Sequence, residues 1–78
     1  MNIMNIKIID EIPVETIEIS IATLVWRADL AHDKFQKNFL NHAIILADAY
    51  NCKTYLEQKL RESKNLKELK KVRKLLDE

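Results

Sequence analysis

The sequence predicts an all-α protein, a two- or three-helix bundle or helical hairpin preceded by a short strand or extended arm. Three observations lead there. The chain has no glycine and a single proline, whereas compact β folds lean on glycine for the positive φ of their tight turns. Isoleucine, leucine, alanine, lysine and glutamate dominate, and strong strand formers are mostly confined to the first 26 residues. From Val14 onward the apolar residues recur at three- and four-residue intervals, the period of a helix with a buried face.

Residues 1–12 form an N-terminal arm, in which Ile3, Ile6, Ile8, Ile9 and Ile12 allow a short strand around Asn5–Ile9. Pro13 suits the start of a helix, where its missing N–H costs nothing. Glu15 and Glu18 then lie near the positive end of the helix dipole. Helix one is expected over residues 13–32. Ile17, Ile19 and Ile21 alternate with Glu18 and Ser20 in a strand-like manner, but the alternation stops after Ile21, which favours helix.

Projected at about 100° per residue, this helix carries two apolar stripes. Val14, Ile17, Ile21, Leu24, Val25, Ala28 and Ala31 form the first, in a heptad rhythm that runs on to Phe35. Ile19, Ala22, Trp26 and Leu30 form the second. A helix at the edge of a monomer needs one stripe. Two stripes mean a central helix contacted from both sides, or one face for the core and one for a partner.

Asp33, with Gln36 three residues on, has capping-box spacing for helix two, expected over residues 34–62. Its main stripe is Phe35, Phe39, His42, Ala43, Leu46, Ala49, Tyr50, Leu56 and Leu60; Leu40, Ile44 and Ala47 make a shorter one. No glycine or proline separates helices one and two, so a continuous helix is an alternative, and it would have to be an oligomer. Asn65 and Glu68 repeat the capping spacing and open helix three, expected over residues 65–77. Leu66, Leu69, Val72 and Leu76 are its apolar stripe. Lys64, Lys67, Lys70, Lys71 and Lys74 fall within about 120° on another face.

Seventy-eight residues make one domain, and a chain this short hides only about 60% of its unfolded surface. Such domains are reinforced by disulfides, metals, regular helix packing or association. Cys52 is the only cysteine, so no disulfide can form within the chain. The polar start lacks the hydrophobic core of a signal peptide. No run nears the ~20 apolar residues of a membrane span. A cytoplasmic location is the expectation, and the single cysteine agrees with it.

Thirteen basic and twelve acidic residues nearly cancel, but unevenly along the chain. Residues 1–52 hold four basic and seven acidic groups, and residues 53–78 hold nine and five. Opposite charge in the two halves favours head-to-tail or antiparallel contact between subunits. The balance of lysine over arginine, with ten isoleucines and six asparagines, hints at an AT-rich genome, such as a low-GC bacterium or its phages.

His32 and Asp33, with Asp29 one turn earlier, are the most site-like cluster. Metal sites need three or four converging ligands, and the other histidine, His42, falls about 80° away on a continuous helix. The cluster is therefore read as a helix terminus with a surface ion pair. His42 is read as a core-edge histidine with one satisfied nitrogen. Cys52 has no base or cation aimed at it to make a thiolate, so it is read as a half-buried structural residue. Phosphate-cradling loops need glycine and are excluded.

These residues imply no enzyme, no metal and no cofactor. The expected function is a non-enzymatic protein-interaction module acting through Ile19, Trp26 and Leu30, against a second copy of the chain or another protein. Small adaptors and inhibitors of phages and mobile elements share this general make-up, an analogy of class alone. The alternative is nucleic-acid binding by Lys64, Lys67, Lys70, Lys71 and Lys74, although the arginines and aromatics that read or stack bases are scarce there.

Overall fold

The computed structural model describes residues 12–77, and among them the fold is all-α, with no strand. Helix α1 covers Val14–Leu30, α2 Asp33–Ala49, α3 Lys53–Glu62 and α4 Lys70–Leu76, with a 3-10 turn at Leu66–Glu68 between α3 and α4. The segment with alternating isoleucines is helical throughout. Pro13 is the N-cap rather than the first helical residue, a shift within the usual one- or two-residue uncertainty of helix ends. The strand expected around Asn5–Ile9 lies outside the described residues.

Helices α1 and α2 are separate. Ala31 and His32 are both extended (ψ 168° and 146°) and Asp33 has φ 46°, so the chain turns within two residues and α1 packs chiefly against α2. Linkers this short join neighbouring helices as a hairpin. The oligomer demanded by a single long helix is thus not required. Asp33 does not act as the expected cap. His32 occupies the N-cap position, no side chain caps the helix, and Asp33 takes the left-handed backbone conformation instead.

The expected second helix, 34–62, is broken into two. Tyr50 closes α2, Asn51 has φ 58°, and the Cys52 N–H donates to the Ala47 carbonyl at 2.8 Å. A left-handed residue just past the helix end, with that six-to-one hydrogen bond, is a Schellman ending. Asparagine is the residue that accepts this conformation when glycine is absent.

The break also corrects the burial of α2. Its buried residues are Leu40, Ala43 and Ala47, flanked by half-buried Phe39, Ile44 and Leu46; Phe35, His42, Ala49 and Tyr50 are exposed. The core side of α2 is made by Leu40 and Ala47 of the shorter stripe together with Ala43 of the main one. Leu56 and Leu60, which a single helix over 34–62 would place on the same stripe as Phe35 and Tyr50, belong to α3 and are buried there.

The third expected helix is likewise shorter than 65–77. Leu66 and Val72 are fully buried, but the chain between them is extended at Leu69 (ψ 137°). Asn65 makes no side-chain cap there. The core runs through all the helices: Ile17, Ile21, Val25 and Ala28 of α1, the α2 residues above, Leu56 and Leu60 of α3, then Leu66 and Val72.

Candidate interaction surface

Ile17, Ile21, Val25 and Ala28 of the first apolar stripe form the core side of α1, at most 5% exposed, while Val14 at its start is exposed. The second stripe points the other way. Ile19, Trp26 and Leu30 are 66%, 62% and 62% exposed, and on a helix of about 100° per residue they centre about 170° from the buried set. Thr23, also exposed, falls between them, so positions 19, 23, 26 and 30 keep the four-three-four spacing of a helix-pairing seam.

Beside this seam, α1 and α3 enclose a shallow hollow of about 250 Å³ lined by Ala22, Val25, Trp26, Lys59 and Ser63. Lys59 and Glu62 form a pair at 3.5 Å on its rim, an exposed contact worth little by itself. The seam is thus bounded by polar groups on the α3 side and open on the other.

Its C-terminal end is fixed by Asp29. One carboxylate oxygen of Asp29 accepts the backbone N–H groups of Asn65 (2.7 Å) and Leu66 (3.2 Å), and the other accepts that of Lys64 (3.2 Å). The Asn65 side-chain amide donates back to the Asp29 carbonyl at 3.0 Å. Partial burial works against the charge of Asp29. The N–H groups of Asn65, Lys64 and Leu66, together with the Lys64 ammonium, outweigh it and hold the carboxyl below its ordinary range. Ser63 continues the clasp: its hydroxyl donates to the Leu60 carbonyl at 2.6 Å and accepts the Lys67 N–H at 3.1 Å.

Both oxygens of Asp29 are thus engaged by backbone, and Asp29 serves as a structural clasp with Lys64, Asn65 and Leu66 rather than in an ion pair with His32. No group of three His, Cys, Asp or Glu side chains able to hold a metal occurs among the described residues. His42 differs from expectation, being exposed on α2 beside Ile45 and Ala49 because the core side runs through Leu40, Ala43 and Ala47. Cys52 is buried, and its thiol donates to the Tyr50 carbonyl at 3.4 Å inside the turn that ends α2.

The five lysines of the nucleic-acid reading do not share one helix face. Lys64 lies in the loop held by Asp29, Lys67 in the 3-10 turn, and Lys70, Lys71 and Lys74 in α4. Lys71 reaches across to α2, where its ammonium donates to Asn41 Oδ1 at 2.6 Å.

The Asp29 clasp was missed in the sequence, although it left a sign there. An acid in the last turn of a helix opposes the dipole, so its presence there points to donors supplied from elsewhere in the chain. No helix among the described residues is long and apolar enough to cross a membrane. Comparison of the chain with protein-family models, with curated proteins and with solved structures finds no match.

Proposed function

We propose that this protein is a non-enzymatic interaction module whose α1 seam, Ile19, Trp26 and Leu30, closes against a second copy of the chain. One observation carries the reading. Among the described residues, Ile19, Trp26 and Leu30 stand exposed along one face of α1 although Ile17, Ile21, Val25 and Ala28 on the opposite face are already packed. Tryptophan is enriched at binding hot spots, and a seam with four-three-four spacing is self-complementary about a two-fold axis.

The seam is short. Three side chains over three turns cannot reach the ~800 Å² per partner of a standard interface, so pairing is weak and depends on concentration. An adaptor or inhibitor role fits such a surface, with the dimer exchanging for a target.

Trp26→Ala tests the reading. Association, followed by sedimentation velocity, is expected to weaken, while helicity by circular dichroism stays within error of the parent. Loss of helicity without a separate association defect would instead make Trp26 a core residue and end the proposal.

A further inference from the structure

A second surface, to which α1 contributes no lining residue, has a different chemistry. Between α2 and the start of α4 lies a groove of about 450 Å³, within the ~300–1,000 Å³ of small-molecule sites. Its floor is apolar, made by fully buried Leu40 and half-buried Leu69. Its rim is polar and basic: Lys37 and Asn41 from α2, Lys70 and Lys71 from α4. The Lys71–Asn41 bond spans the groove and ties its two walls together.

None of these three lysines has a carboxylate within ion-pair distance among the described residues. Three ammonium groups gathered on the rim of an apolar groove attract an anion, and an apolar body joined to that anion would cover the exposed part of Leu69 and the lysine stems. A phosphate chain would leave Leu69 wet, and a neutral apolar body would leave the lysines without a counter-charge. We infer that the α2–α4 groove binds a small amphipathic carboxylate, its acid group among Lys37, Lys70 and Lys71 and its hydrocarbon part on Leu69 and the lysine stems. This does not depend on the α1 seam, none of whose residues lines the groove.

The test is a titration of the nitrogen-15-labelled full chain with decanoate below its micelle concentration, read by amide shifts. Saturable shifts at Leu40, Asn41 and Leu69–Lys71 are expected. Decanol and inorganic phosphate, titrated separately, should each bind weakly or not at all. The double variant Lys37→Gln/Lys70→Gln, both positions exposed, should keep the parental circular dichroism and lose affinity by about tenfold. Trp26→Ala should bind decanoate as the parent does.

Equal binding of decanol and decanoate would overturn the role of the lysines. Binding of phosphate alone would overturn that of the floor. Shifts centred on Trp26, or no saturable shift, would overturn the site itself. A short single-stranded DNA that perturbs the same amides more tightly than decanoate would reassign the groove to nucleic acid.

Discussion

Asp29 and Asn51 do at single positions what glycines, caps and disulfides do in other small domains. Asp29 gathers three backbone N–H groups from a loop 35 to 37 residues away and so locks the α3–α4 connection onto α1. Asp29→Asn keeps the shape but turns a charged acceptor into an amide, and should lower stability by about 1–3 kcal/mol in urea unfolding. The carboxyl's proton affinity is lower folded than unfolded, from an ordinary value of 3.8. The unfolded chain therefore takes up the proton first, so this contribution is complete above the ordinary carboxylate range and is lost as pH falls through the depressed native value. Below about pH 4 the parent should lose stability faster than Asp29→Asn. At Asn51, the left-handed backbone costs an ordinary L-residue about 1–2 kcal/mol. Asn51→Ala should lower the thermal midpoint, and Asn51→Gly should hold or raise it.

At the level of elements, the helices themselves were legible because the three-four apolar rhythm is strong in α1, no glycine interrupts it, and the strand-like alternation at Ile17, Ile19 and Ile21 stops there. The two stripes of α1 were also legible, and they part as core side and outer side. The breaks after α1 and after α3 were legible too, but the one at Asn51 was not. In a chain without glycine, the described residues that take positive φ are Asp33, expected as a cap, and Asn51, which looks like an ordinary polar helix-surface position. Within α2 the core side runs through Leu40, Ala43 and Ala47, which leaves Phe35, His42 and Tyr50 exposed. The candidate surface at Ile19, Trp26 and Leu30 was readable from spacing alone. The α2–α4 groove was not, because Lys37 and Lys70 are far apart in sequence and meet only through the turn at Leu69. The two sides of α1–α3 packing should respond differently to truncation. Leu60→Ala, at a fully buried position, should cost about 2–5 kcal/mol, whereas Trp26→Ala on the open face should stay within about 1 kcal/mol for the isolated chain.

For the whole molecule, the account is one of a small core stretched through four helices and a turn, with apolar surface left over. Twelve buried apolar residues form that core, and Val14, Ile19, Trp26, Leu30, Phe35, Ile45 and Tyr50 remain outside it. Scattered singly, such residues are ordinary on a protein surface; three of them aligned on one helix face are a patch. Trp26 reports on that patch directly, being the only tryptophan in the chain. The decisive measurement is its fluorescence emission, recorded beside the mass from light scattering, from micromolar to millimolar protein. The account predicts a blue shift that follows the rise of mass toward two chains, and the loss of both in Trp26-retaining variants Ile19→Ser and Leu30→Ser. A mass of one chain throughout, with Trp26 emission unchanged, would contradict it.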